Sequence, residues 1–171
     1  KSFLHKTLLK YNLNHADAVC STSHVMAKVA ALFTKHQVKV IPFGIDTEIF
    51  KPSQEKVVFS KEDLVIGTVK SLEKKYGIDL LIEAFSIVKR EFPSKQLKLL
   101  IVGDGSMKKE LQEQVRIAGL ETDVVFSGKV EQEKVPAYHN TIDIFVSLSV
   151  LNSESFGVSA LEAGACGKPV V

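Results

Sequence analysis

Glu154 and Glu162 stand eight residues apart in the segment Asn152 to Val171, which reads NSESFGVSALEAGACGKPVV. The first precedes a run of small residues that reads as a helix, and the second lies inside it. Eight residues are a little over two helical turns, so the two positions fall within about 80° of each other around a helix axis. Ser155, Phe156 and Gly157 separate them at the expected helix start, where backbone N–H groups and the helix dipole favour an anion. The carboxylates offer acceptors to sugar hydroxyls and the N–H groups offer donors to a phosphate. Sugar nucleotides carry both. The plainer alternative has Glu154 capping the helix and Glu162 facing water.

Elements that could position such residues are visible upstream. Leu64 to Val69, Leu97 to Val102, Val124 to Phe126 and Ile144 to Val146 are short apolar runs that read as strands, and Lys168 to Val171 begins another. Their near-continuous apolarity fits a parallel sheet covered on both faces. Between them lie amphipathic stretches. Leu80 to Phe92 places Leu81, Ala84, Phe85 and Val88 on one face, and Met107 to Ala118 places Leu111, Val115 and Ala118 on one face. Gln132 to His139 is a shorter helix candidate, with Pro136 suited to a first turn. The alternation predicts an α/β fold, a Rossmann-like parallel sheet with helices on both faces.

The first fifty residues have their own pattern. Residues 1–13 read as a helix with Leu4, Leu8 and Leu9 inward, Ala18 to Ser21 as a strand, Ser23 to Phe33 as a helix with a serine cap, and Val38 to Ile41 as a strand. A loop rich in Pro, Gly and Asp follows, VIPFGIDTEIFKPS.

Composition narrows the class. The chain has 171 residues, 45% hydrophobic and 25% charged, as in ordinary globular proteins, and a net charge of +2 gives no nucleic-acid footprint. Cys20 and Cys166 lie in apolar contexts without metal-ligand spacing, which predicts buried thiols in a reducing compartment. His5, His15, His24, His36 and His139 are scattered and read as solvated or turn residues. No metal site is expected. No apolar run is long enough to span a bilayer.

The segment from Ser149 through Glu154, Ser155, Phe156, Gly157, Glu162, Ala163, Ala165 and Gly167 to Pro169-Val170-Val171 resembles the signature of the retaining glycosyltransferases called group 1 or family 4. A lone pair of glutamates at this spacing would carry little weight; with Phe-Gly and Gly-Lys-Pro-Val-Val in register it is specific. The VIPFGIDTEIFKPS loop resembles the family's interdomain linker, with Phe43 standing where Asn is usual. The resemblance implies the two-Rossmann-domain GT-B fold. Residues 1–50 would be the last piece of the first domain plus the linker, and residues 57–171 a nucleotide-sugar-binding domain cut short at its C-terminus.

What the resemblance implies for the site can be placed residue by residue. Ile66 to Phe85, IGTVKSLEKKYGIDLLIEAF, matches the family's phosphate-loop frame through Leu72, Gly77, Asp79, Leu81, Ile82, Ala84 and Phe85. Lys70 and Ser71 occupy the usual Gly-Arg, and Tyr76 occupies the usual pre-glycine Lys. Lys75 is then expected to supply the phosphate-binding charge, with Lys70 compensating for the absent arginine; a solvated Lys74-Lys75 run is the alternative. Lysine cannot reproduce a bidentate arginine grip. The turn Gly103-Asp104-Gly105 reads as structural. Backbone at Val130 is expected to meet the base, and Glu162 the two ribose hydroxyls. Glu154 is expected near the donor sugar and the reacting centre, as the catalytic residue. Backbone around Phe156, Gly157 and Val158 is expected to meet the sugar and distal phosphate.

By the same resemblance the chain is part of a retaining hexosyltransferase. It would move a sugar from a nucleoside diphosphate sugar to a glycan or lipid-linked acceptor, without metal or other cofactor. A non-catalytic nucleotide-binding module and a GT-B-like nucleotide-sugar epimerase are the alternatives, and the altered phosphate loop is what favours the former. An active-site histidine of the family belongs to the first domain, upstream of this sequence. A cytoplasmic setting is implied. The basic, apolar first helix either touches an anionic inner membrane face or packs on more of the first domain. The sequence opens without Met and stops in an apolar run. It is therefore expected to be a fragment, inactive alone and prone to self-association.

Overall fold

The structure, a computed structural model, describes residues 3–54, 56–150 and 157–171. The described residues fall into two compact units that divide between Gly44 and Ile45.

The first unit holds α1 (Phe3–Asn14), β1 (Val19–Ser21), α2 (His24–Ala31) and β2 (Val38–Val40). The two strands pair in parallel, Val19 opposite Val38 and Ser21 opposite Val40. Ser23 caps α2 as its composition predicts, its side chain accepting from the Met26 N–H at 3.2 Å. Asn14 ends α1 and ties it to the turn after α2, donating to the Phe33 carbonyl at 3.0 Å and accepting from the Lys35 N–H at 2.9 Å. Two expectations fail here. Leu4, Leu8 and Leu9 are 63%, 51% and 43% exposed rather than inward, because α1 buries no residue within this small unit. Cys20 is exposed rather than buried, since a two-stranded sheet covers only one of its faces here and Val19 takes it.

The second unit is built on a four-stranded parallel sheet in the order β5-β4-β3-β6. The strands are β3 (Leu64–Val69), β4 (Leu97–Val102), β5 (Val124–Gly128) and β6 (Ile144–Phe145). The last apolar run extends the sheet past β6 through a parallel bridge between Phe145 and Val170. The helices are α3 (Ile78–Glu91), α4 (Lys108–Ile117), α5 (Val135–Thr141) and α6 (Val158–Ala165).

Period-two alternation along β4 decides the two cores. Leu97, Leu99 and Ile101 face one side and pack with Leu72, Ile78, Leu81, Ile82 and Phe85. Leu100 and Val102 face the other, packing with Val65, Ile142, Phe145 and Ala163 of α6. That is why β4 reads as an apolar run broken only by Lys98 near its start. On α3 the buried stripe is Ile78, Leu81, Ile82 and Phe85, at helical spacing; Ala84 lies off it and is exposed. Ala118 is exposed too, just past the end of α4, where Leu120 takes the buried place. A third apolar cluster joins Phe50, Val135 and Cys166, with Ile45 packed against it, so the chain from Ile45 onward belongs with this unit.

The strand order fixes where a ligand would sit. From β3 the chain steps outward to β4 and β5, then returns to place β6 on the other side of β3. The connections therefore leave β3 and β6 in opposite directions, opening a crevice beyond their carboxyl ends, the usual ligand position in such sheets.

Candidate functional site

Four segments meet the carboxyl ends of the strands: the loop after β3, the turn after β4, the loop after β5, and the N-terminus of α6 beyond β6. The first carries the lysines. Lys70 continues the β3–β4 ladder, its N–H donating to the Val102 carbonyl at 2.9 Å. Leu72 is fully buried and anchors the loop from below, donating to the Asp104 carbonyl at 3.0 Å and accepting from the Met107 N–H at 2.9 Å. A single 3-10 turn, Lys74–Tyr76, then leads to Gly77, whose left-handed φ of 61° opens α3.

Tyr76 gathers the charge of this loop. The Lys70 ammonium lies 4.7 Å from the centre of its ring and the Lys75 ammonium 4.8 Å. Both lysines are half-buried, whereas Lys74 is exposed. An aromatic ring attracts a cation through its quadrupole, so the tyrosine that replaces the family's lysine holds the two neighbouring lysines at one spot.

Glycines make the close approaches that keep this loop in place. Gly103 has φ 139°, and a side chain there would run into the Lys70 carbonyl oxygen. A side chain at Gly77 would meet the Leu148 carbonyl of the loop after β6. That loop is also fastened by the Val150 N–H, which donates to the Lys75 carbonyl at 3.0 Å. The Gly103-Asp104-Gly105 turn is thus a seat for the lysine loop.

Glu73 closes the clasp from outside, accepting from the Ser106 hydroxyl at 2.7 Å and its N–H at 3.0 Å. Those two hydrogen bonds, the hydroxyl's first, hold its carboxyl below the usual glutamate value of 4.5. A depressed carboxyl contributes stability that is complete above that value and is lost as pH falls through the folded one. Wild type is therefore expected to lose more thermal stability than Glu73→Gln between about pH 6 and about pH 3. Equal losses, read by thermal melts across that range, would remove the clasp from the account.

The other side of the crevice is set by α6. Gly157 precedes it with φ 72°, and the first turn leaves N–H groups without intrahelical acceptors. Val158 sits in that turn, exposed. Glu162 projects one turn further on, its side chain 12% exposed. Its Oε2 lies 3.1 Å from Nε2 of His139, which is wholly buried. His139 is thus no solvated histidine; the other four are exposed. Its ring meets Phe50 edge-on at 5.9 Å and Phe145 at 5.4 Å. Val130, after β5, turns its side chain into the clusters that include Ala163 and Cys166. Glu154 and Phe156 lie outside the described residues.

Two further buried polar groups on α5 hold the chain that enters this unit. Asn140 accepts from the Ser53 N–H at 2.7 Å and donates to the Lys51 carbonyl at 3.0 Å. Thr141 accepts from the Val57 N–H at 3.1 Å. Burial raises the Cys166 thiol above its ordinary value, as for an inert packing thiol. Among the described residues no group of three or more His, Cys, Asp or Glu side chains could hold a metal ion, and no helix is long and apolar enough to cross a membrane.

Lys70, Lys75, Val130, Gly157, Val158 and Glu162 are therefore all placed at the carboxyl end of one sheet. The sequence left two contributors unread. Tyr76 had a signal, an aromatic residue directly after two lysines. His139 had one too, in the polar run His139-Asn140-Thr141 set among apolar residues.

Comparison with known proteins shows the family and the fold. Mannosylfructose-phosphate synthase of Agrobacterium fabrum is 33% identical over 91% of this chain and 37% of its own length. A GDP-mannose-dependent alpha-(1-6)-phosphatidylinositol monomannoside mannosyltransferase of Mycolicibacterium smegmatis is 30% identical over 97% of this chain and 46% of its own. Sucrose-phosphate synthase from Thermosynechococcus elongatus superposes with a TM-score of 0.80 at 25% identity, over 99% of this chain and 44% of that structure. Anabaena HepE, solved with UDP and glucose, gives 0.76 at 26% identity over 99% and 49%. The chain spans less than half the length of each of these proteins. Residues 50–171 match the profile of glycosyl transferases group 1, and with its α/β sheet of GT-B type the chain belongs to that family.

Proposed function

We propose that this chain is the donor-binding part of a retaining hexosyltransferase that moves a sugar from a nucleoside diphosphate sugar to a glycan or lipid-linked acceptor. One observation carries the reading: paired lysines on Tyr76 and a carboxylate on α6 stand at the switch point of a single parallel sheet. Such a crevice offers cations to a diphosphate and an acceptor to ribose hydroxyls. HepE, a structural neighbour, was solved with UDP and glucose.

In this reading the diphosphate lies between the lysine loop and the first turn of α6. Lys70 and Lys75 stabilise the negative charge that grows on it as the sugar departs, with the N–H groups of Val158 and its neighbours adding to their effect. Glu162 fixes the ribose, and Val130 offers backbone to the base. Glu154 stands by the donor sugar. Fixed positive charge at the leaving group supplies the stabilisation that a divalent ion gives in other transferases, so no metal is required. Peripheral contact with an anionic membrane face through α1 is part of the same proposal, since its Phe3, Leu4 and Leu8 are exposed beside Lys6 and Lys10.

The lysine assignment makes a direct prediction. Lys75→Ala is expected to weaken diphosphate binding several-fold more than nucleoside binding, and the difference should shrink as salt rises. Calorimetry of the full-length protein with paired nucleosides and nucleoside diphosphates reads both. Equal losses for the two ligands would return Lys75 to the solvated surface.

A further inference from the structure

His139 is the largest polar side chain in the fully buried core, and the family reading gives it no task. Its ring is walled by Phe50 and Phe145, and Nδ1 has no hydrogen-bond partner among the described residues. Burying an imidazole with one nitrogen unpaired costs free energy that a phenyl or leucyl side chain would avoid. Core packing alone does not account for such a residue. Among the described residues the one polar contact its ring makes is to Glu162 Oε2, at 3.1 Å.

We propose that His139 is a positioning residue that donates from Nε2 to Glu162 and thereby aims the remaining lone pairs of that carboxylate at the nucleotide. The proposal rests on Glu162 meeting the ribose. An ionised carboxylate only accepts, so the proton on the contact is on Nε2. A second proton on Nδ1 would find no acceptor there. The bond joins α5 to α6 within the protein, and α5 is held in turn by Asn140 and Thr141. A glutamate left alone on an exposed helix face would sample several rotamers and lose entropy on binding. Here Oε2 is fixed from the protein side, and Oε1 and the outer lone pair of Oε2 remain for two adjacent hydroxyls. A ring held by two phenylalanines orients that carboxylate as outer partners orient metal ligands.

The test is hydroxyl discrimination in the full-length protein, measured by calorimetry. The probes are the diphosphate of uridine, guanosine or adenosine that wild type binds tightest, and its 2′,3′-dideoxy analogue. The ratio of the two affinities reports Glu162 and is insensitive to a general loosening of the fold. Glu162→Ala should bring the ratio close to one. His139→Phe should lower it about tenfold, one well-formed hydrogen bond to a charged group. His139→Gln, which can place an amide N–H near the former Nε2, should restore most of it. A folded His139→Phe protein with the wild-type ratio would overturn the proposal while leaving the ribose reading intact. An unchanged ratio in Glu162→Ala would overturn that reading and the proposal with it. Should His139→Phe not fold, nitrogen NMR of the wild-type ring decides. Protonated Nε2 with bare Nδ1 is expected, and protonated Nδ1 with bare Nε2 would refute the assignment.

Discussion

Replacing Glu162 by alanine will lower nucleotide affinity about ten- to a hundredfold and leave the fold intact. Hydrogen bonds to a charged group contribute roughly 1.5–3 kcal/mol, which is that range in a dissociation constant. Stability should change little, because the Glu162 side chain sits at the rim of the core and keeps a part of its surface in water. The one adverse effect is on His139, whose Nε2 would lose its partner. Water can reach that position once the carboxylate is gone, which limits the cost. Calorimetry with UDP and GDP on the full-length protein reads the affinity, and a thermal melt reads the fold. Unchanged affinity for the better of the two would remove Glu162 from the site.

The second large effect is expected at Gly103. Alanine there must adopt φ near 139° and place its methyl group against the Lys70 carbonyl. Strain of this kind costs about 1–3 kcal/mol on its own, and the collision with backbone adds to it, so a loss of roughly 2–4 kcal/mol is expected. The loop that moves to relieve the clash is the one that carries Lys70 and Lys75, so diphosphate affinity should fall together with stability. Gly119→Ala separates the two causes. Gly119 also has positive φ, at 67°, but a side chain there meets nothing. Its cost should be only the left-handed penalty of about 1–2 kcal/mol, with no effect on affinity. Equal costs at the two positions, by denaturant unfolding, would mean that the Lys70 loop is not seated on Gly103.

These predictions draw on features of unequal legibility. The sheet could be read from sequence because a parallel sheet covered on both faces makes each strand a nearly continuous apolar run, and β3 and β4 begin and end where those runs do. Gln132 to His139 was blurred by Pro136, which the structure places in the first turn of α5 after a short 3-10 turn. Amphipathic spacing marked α1 as a helix, yet it says nothing of what covers the apolar face, and Leu4, Leu8 and Leu9 are exposed in this unit. The same limit applies to Cys20, where an apolar neighbourhood in sequence does not become burial in a two-stranded sheet.

The candidate site divides along similar lines. Glu162 and the lysines stood out as candidates because they fall in register with the glycines of the motif. The motif frame favoured Lys75 over Lys74 for the phosphate but did not show how the loop would hold its charge, since adjacent residues in a 3-10 turn differ by rotation alone. In the structure Tyr76 draws Lys70 and Lys75 to one ring and leaves Lys74 exposed. His139 was illegible as a partner of Glu162 because the pair is joined only by the packing of α5 on α6, 23 residues apart in sequence. A polar side chain inside an apolar run announces burial; its partner has to be found in three dimensions.

In the proposed site a nucleoside diphosphate lies across the carboxyl ends of β3 and β6, with its ribose on Glu162 and its phosphates between Lys70, Lys75 and the start of α6. A crystal structure of the full-length protein with its tightest-binding nucleoside diphosphate tests this most directly. Both ribose hydroxyls are expected within hydrogen-bonding distance, about 2.5–3.0 Å, of the Glu162 carboxylate, with the phosphates beside the Tyr76 lysines and the α6 N-terminus. A nucleotide bound elsewhere, or bound here with its ribose turned away from Glu162, would contradict it.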